Sequence, residues 1–544
     1  MSRIVVVGSG ATGVHFALTS LERGHDVTML DFGNERPDAV LPSATFSQLK
    51  TDLPDPVDYF LGRHGEGVVY PSTSASYYGH PPSKHYVFDV PKGFDTQSTA
   101  MSPRFSFARG GFAEAWTAGV YAFNRADLGQ FPVDYEEMQR TYATVSRRIG
   151  IGAVRDDLEQ FIPFDGSYLP PLPLDPHSQW LWDRYHSRRD RLQRDERFFL
   201  GRSRVATISQ ALGDRKGCGQ LGRCLWGCPN ESIYSPAVTL RECMKHPRFQ
   251  YLSGVLVQHF DYGADGRIAR MRARRVADGE MIAVDGDVFA LAAGALTSSK
   301  IVLDSEYAHS GKIGVMSGLM DNLQIHVPFL TPAMIGTPVQ TSSYQFHHLA
   351  FGVERADPLD YVHGQITTLK PASVHPIVQT LPFDLRGSLA LFRAMRAGLA
   401  VANVNLPDRR RAESQLTIRP RNGSAETELV IRYSQDPQEP ARMESAVRSV
   451  KRAIGAMGCF VPPGMTRVLP RGTSVHYAGT MPMSVTPGAF TCAPDCRSHA
   501  FENLYLVDGA SFPFLPSKNH TFTLMANAVR VAETIPRAGR ALSS

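Results

Sequence analysis

"RIVVVGSGATGVHFALTSLERGHDVTMLD", residues 3–31, decides the fold. Ile4 to Val7 is an unbroken β-branched run, which suits a strand buried on both faces of a parallel sheet. Gly8, Gly10 and Gly13 follow in the GxGxxG spacing. The first glycine allows a tight turn, the second lets the backbone approach a pyrophosphate, and the third lets the next helix pack on the strand. That helix would turn its N-terminal amides and dipole toward the phosphates. Val27 to Leu30 predicts a second strand ending in Asp31, whose carboxylate can accept hydrogen bonds from a ribose diol. The acid argues against a 2′-phosphate, hence against NADP. It leaves NAD and FAD both open.

The 544 residues exceed one compact core, so two domains, or one domain elaborated by a second, are expected. A net charge of +5 is small for this length and gives no basis for nucleic-acid binding. The run Arg409-Arg410-Arg411 reads as a solvated loop. Arg3 is followed by only four aliphatic residues before glycine, too few for a secretory h-region. No stretch reaches the apolar length of a membrane span. The segment 388–403 reads as a core helix with Arg393 and Arg396 exposed, in preference to a helix lying on a membrane. Seven cysteines without a disulfide-framework spacing fit a reducing cytosol, so a cytoplasmic location is expected.

The middle of the chain adds several pieces. "ARGGFAEAWTAGVYAF" (108–123) holds Gly110-Gly111 and Trp116, and an amphipathic helix is expected within 131–152. Residues 287–305 read as a buried strand, a small-residue turn at Ala292, Ala293 and Gly294, and a helix start. A turn without bulky side chains suits close approach to a flat cofactor. Residues 251–276 alternate like antiparallel strands around Asp265-Gly266. "KGCGQLGRCLWGCPNESIY" (216–234) clusters Cys218, Cys224 and Cys228, at spacings that thiolates of iron–sulfur or zinc sites also use.

At the carboxyl end, His476 stands three residues before Gly479-Thr480. A strand over Leu504 to Val507 then leads to Asp508-Gly509 and to "SKNHTFTLMANAVRVAETI" (517–535). Leu524, Ala528, Val531 and Ile535 recur at helical spacing. Thr521 and Thr523 are possible caps, and Asn519 and His520 lie in the approach.

Together the N-terminal fingerprint, the GlyGly segment, the Ala-Ala-Gly turn and the C-terminal block resemble the glucose–methanol–choline (GMC) family of FAD-dependent oxidoreductases. GlyGly, four residues, then Trp-Thr is similar to its pyranose-oxidase-like branch. The resemblance spans both ends and the centre and is weak over about 330–465, where the family's substrate domain varies. It implies an α/β fold: a Rossmann-type FAD-binding domain from 1–115, 200–325 and 466–544, and an α+β substrate domain with an antiparallel sheet from 116–199 and 326–465. The implied FAD contacts are Gly8, Gly10, Gly13, Asp31, Gly110, Gly111, Trp116, Val257, Ala293, Gly294, Asp508, Gly509 and Thr521. Covalently flavinylated members of the branch carry a histidine before the tryptophan; here Ala115 implies a dissociable FAD.

Many dehydrogenases of the family have a similar Cys-rich loop without metal, and a minority hold a [3Fe–4S] cluster there. The resemblance therefore implies buried thiols at Cys218, Cys224 and Cys228, with cluster ligation the lesser alternative. The implied reaction is oxidation of a CH–OH group of a sugar, glycoside or other bulky alcohol, with hydride transfer to the flavin and oxygen or a quinone as acceptor. His476 matches the family's base. Asn519 matches its second polar residue, and His520 sits at the offset that members with a second histidine use. The alternatives are another tailoring step on a natural product, or a non-catalytic flavin-binding partner.

Overall fold

The computed structural model describes residues 2–36, 41–63, 65, 80–369, 378, 381–421 and 426–537. Its centre is a parallel five-stranded sheet in the order 504–506, 288–291, 3–7, 26–30, 249–252. Ile4 to Val7 are at most 4% exposed, as a strand covered on both faces requires. Each such side chain stabilises the fold by roughly 1.5–3 kcal/mol relative to exposure. The helix Ala11–Glu22 follows the fingerprint and packs against the last helix, Thr521–Thr534. The single apolar stripe read for that last helix understates it. Every residue from Phe522 to Ala532 is buried, including Asn527 and Arg530, which bond to each other.

The hairpin around Asp265-Gly266 forms as Val255–Tyr262 and Ile268–Arg275, joined by a third strand, Met281–Asp285. Tyr251 and Leu252 lie outside it, in the edge strand Phe249–Leu252 of the parallel sheet. The amphipathic helix spans Tyr135–Ile149, and the strand–turn–helix at 287–305 becomes Val288–Leu291 and Ala295–Ser310.

A second sheet is antiparallel and six-stranded, in the order 467–468, 323–330, 399–406, 362–368, 349–353, 198–202. Ile325, Val327, Ala402 and Val404 belong to the core that the helix Glu439–Ala456 covers with Ala446, Val450 and Ala453. The alternate residues face a cavity between the two sheets. The boundaries expected at 199/200 and 325/326 fall inside strands of this sheet.

Two sequence readings are corrected. Residues 388–403 are not one core helix. Leu385–Met395 is a surface helix burying only Ser388 and Phe392, and Leu399–Leu406 is a strand. Gly398 marks the break, where a Cβ would stand 2.6 Å from the Thr331 carbonyl oxygen. The arginine run is not merely solvated. Arg409 pairs with Asp357 and Asp360, Arg410 donates to the Gly479 carbonyl, and Arg411 bonds Asp408 and Tyr433. Among the described residues no helix is long and apolar enough to cross a membrane.

The loop entering the last helix is tied residue by residue. The Pro516 carbonyl accepts from Asn322, the Ser517 hydroxyl donates to the Tyr361 carbonyl, and Lys518 donates to Asp127. Lys518 is 0% and Asp127 2% exposed, so this ion pair lies wholly inside. Removing one partner strands a buried charge, which typically costs about 3–5 kcal/mol. Asp127→Asn should lower the unfolding free energy by about that amount in urea titrations. Adding Lys518→Met should restore at least half; a double variant as unstable as the single one would contradict this.

Candidate active site

A cavity of about 1090 Å³ runs from the glycine fingerprint to the six-stranded sheet. At its near end Gly8 has φ +100°, a turn that glycine adopts without strain. A Cβ on Gly13 would sit 2.0 Å from the Gly8 carbonyl oxygen, so helix and strand touch there through bare backbone. A Cβ on Gly10 would meet nothing within 4 Å among the described residues, because Gly10 faces the cavity. Gly10 is also the N-cap of the first helix, and no side chain among the described residues caps it.

Ser9 organises this end. Its hydroxyl donates to Asp31 at 2.5 Å and accepts the Gly110 amide at 3.0 Å. Asp31 accepts the Tyr251 hydroxyl as well, and burial pushes its carboxyl up to about 6. Asp508 is alike: burial raises it to about 6, against bonds from Ser298, Ala510 and Gly294. Gly111 (φ +62°) lies against Gly10, and a Cβ there would be 3.4 Å from the Gly10 Cα. The Trp116 indole donates to the Tyr234 carbonyl. Asp31, Gly111, Ala115, Trp116, Val257, Ala293, Gly294, Asp508, Gly509 and Thr521 all line the cavity; Gly13 and Gly110 stand just behind its wall.

At the far end His476, Asn519 and His520 come together on the cavity wall. The Asn322 amide donates both hydrogens, to the Leu406 and Pro516 carbonyls, so its Oδ1 is the acceptor facing His476 Nδ1 at 2.9 Å. His476 therefore carries its proton on Nδ1 and presents a bare lone pair at Nε2. Burial lowers this imidazole to about 4, so it is neutral near pH 7. The turn that holds it is strained: Val475, β-branched, has φ +53°. Such a conformation costs on the order of 1–3 kcal/mol and persists only when its surroundings enforce it. Here Asp321 does so, accepting the Gly472 amide and the Ser474 hydroxyl.

Gln365 Nε2 donates to Asn519 Oδ1 at 2.8 Å, which leaves the Asn519 Nδ2 hydrogens for another acceptor. The His520 ring stands edge-on to His476, centroids 4.7 Å apart, and its Nδ1 is buried with no partner among the described residues. Neither threonine caps the last helix. His520 is the N-cap, Thr521 begins the helix, and Thr523 shares a 2.6 Å hydrogen bond with Tyr142. Among the described residues no side chain caps this helix, and its first residue, Thr521, lines the cavity, where an anion would be stabilised.

All seven cysteines are free; Cys218, Cys224 and Cys228 are half-buried rather than buried, and Cys218 and Cys224 pack beside Leu172, Val205, Tyr344 and Phe346. Among the described residues no three His, Cys, Asp or Glu side chains converge to hold a metal. Sequence reasoning missed Ser9, Asn322 and Gln365. Ser9 was legible as the polar residue inside the fingerprint. Gln365 stands among alternating polar residues in "VHGQITT" (362–368), a pattern that marks a strand with a wet face.

Residues 410–528 match the C-terminal family model of the GMC oxidoreductases. The chain is 24% identical over 337 residues to the 6'''-hydroxyparomomycin C oxidase of Streptomyces lividus, a match covering 59% of this chain and only 58% of that relative. Pyridoxine 4-oxidase from Mesorbium loti superposes with a TM-score of 0.62 at 16% identity, over 98% of this chain and 99% of its own. An FAD-dependent oxidoreductase from Chaetomium thermophilum gives 0.62 at 13% identity, over 98% and 99%. A formate oxidase gives 0.62 at 12% identity, over 98% of each chain. The structural likenesses show the fold. The family-model match over the C-terminal part and the likeness to the curated oxidase support the GMC oxidoreductase family, whose members bind FAD.

The glycine geometry separates folding from cofactor binding. Gly13→Ala overpacks the strand–helix contact and should cost about 1–3 kcal/mol or more in thermal unfolding. Gly10→Ala should unfold close to the parent protein yet be purified with far less flavin. Equal flavin content in the Gly10→Ala protein would remove Gly10 from the cofactor site.

Proposed function

We propose that this chain is an FAD-dependent oxidoreductase that converts a CH–OH group to a carbonyl, with His476 as the base. The reading rests above all on the Asn322–His476 bond, which fixes a neutral imidazole with its free lone pair in a cavity that also holds an amide donor. The glycine-lined end fits the cofactor: Gly8, Gly10 and Gly111 supply bare backbone, Asp31 a ribose acceptor, and Thr521 the open helix end. FAD bound there supplies the two-electron acceptor.

The chain's own residues handle the proton and the substrate's orientation. His476 Nε2 takes the hydroxyl proton, a role that typically contributes 10²–10⁴-fold in rate. Asn519, its Oδ1 engaged by Gln365, donates through Nδ2 to the same oxygen and orients the C–H bond. His520 stands edge-on to His476, and its own burial, then the neighbouring His476, holds the His520 ring well below the ordinary histidine range. The GlyGly–Trp-Thr spacing supports the pyranose-oxidase-like branch, with oxygen as a direct acceptor. Ala115 supports a non-covalent flavin, and seven free thiols fit a reducing cytosol.

Two measurements test the reading. His476→Ala should abolish anaerobic bleaching of the flavin by alcohols that bleach the parent protein. In the parent, kcat/KM should stay flat from pH 8 down to about 5 and fall only as pH approaches the base's value of about 4, where protonation removes the lone pair. A limb near 6.5 would refute the buried, Asn322-held base. Separately, acid precipitation should release all the yellow flavin into the supernatant; flavin retained by the denatured chain would refute non-covalent binding.

A further inference from the structure

The cavity face of the six-stranded sheet is divided in two. Strand register puts Gln324, Asn405 and His363 in one row and His326, Asn403 and Gln365 in the next. The following row is Pro328, Val401 and Thr367, and beyond it Leu330 pairs with Leu399, beside Leu369. The first two rows consist wholly of amides and imidazoles, of which Gln324, His326, Asn403 and Gln365 line the cavity. They adjoin the reaction centre, because Gln365 bonds Asn519 and Asn322 directly precedes the 323–330 strand. Asn403 lines the cavity, and its buried Oδ1 has no partner among the described residues.

The outer rows lead to the mouth. There the Leu330 backbone pairs with that of Phe460, which is 53% exposed, and Leu381, Met395 and Met465 complete an apolar wall. Charge is equally one-sided. Among the described lining residues the only carboxylates are Asp31 and Asp508, both at the cofactor end, whereas Arg104 and Arg467 line the cavity as cations. A cationic substrate would find no counter-ion beside the reaction centre.

We propose that the substrate is a neutral amphiphile. A hydroxyl-rich head occupies the amide and imidazole rows with the reacting CH–OH at His476. An apolar chain runs over the leucine rows to the mouth. This deepens the alcohol-oxidation reading of the same cavity and rests on it.

The test is equilibrium binding of methyl, butyl, hexyl and octyl β-glucosides, below their micelle concentrations, to the flavin-loaded protein by calorimetry. Each buried methylene should tighten binding by up to roughly fourfold, so hexyl should bind at least tenfold tighter than methyl glucoside. Phe460→Ser, at an exposed position where folding is not at stake, should shrink the octyl-to-methyl ratio. Asn403→Leu should weaken hexyl glucoside more than hexanol. An affinity independent of chain length overturns the proposal, as does a ratio unmoved by Phe460→Ser, or a polyamino glycoside binding as tightly as hexyl glucoside. Flavin bleaching is read in parallel. A steep chain-length series without bleaching counts against alcohol oxidation alone, and a flat series with bleaching counts against the amphiphile alone.

Discussion

One side-chain amide holds the far end of this molecule together. Asn322 gives its two hydrogens to Leu406, at the end of a strand of the six-stranded sheet, and to Pro516, in the loop before the last helix. It then accepts from His476, on a turn between the two. Three segments distant in sequence are registered by one group whose two donor hydrogens and acceptor oxygen are all engaged. A buried amide used at all these positions has one orientation only, and so fixes a proton on one nitrogen of the imidazole. The strain at Val475 is tolerable because this bond and the Asp321 bonds over-determine the turn.

Burial without ion pairing recurs at the cofactor end. Asp31 and Asp508 are enclosed and satisfied by hydroxyls and backbone amides, with no cation bonded to either carboxylate among the described residues. Near neutral pH these carboxylates still carry charge, and neutral donors keep them receptive to hydroxyl groups. A salt bridge would have filled the same lone pairs.

The cofactor half was legible because its signals are local. A β-branched run, three glycines and an acid within 29 residues dictate strand, turn, helix and strand by short-range sterics. The reaction centre was half legible. His476, Asn519 and His520 could be named, but their hydrogen-bond roles depend on Asn322 and Gln365, which lie more than 150 residues away in sequence. The stretch 388–411 was least legible. "SLALFRAM" and "AVANVNL" carry similar apolar content, and only the break at Gly398 separates helix from strand. The arginine run likewise gives no sign in sequence that Asp357, Asp360, Asp408 and Tyr433 will meet it.

The central sheet also sets a timetable. Its middle strand, 3–7, is made about 500 residues before the sheet's outer strand at 504–506 and the largely buried helix at 521–534. At about 5–20 residues per second, roughly 25–100 s of synthesis separate them. Through that interval Ile4 to Val7 and the face of the first helix await their covering, with apolar surface and unpaired backbone exposed. The nascent chain is therefore a natural client for chaperones that shield apolar segments. The part of the cavity wall that Asn519, His520 and Thr521 supply is in place only once that helix has been made.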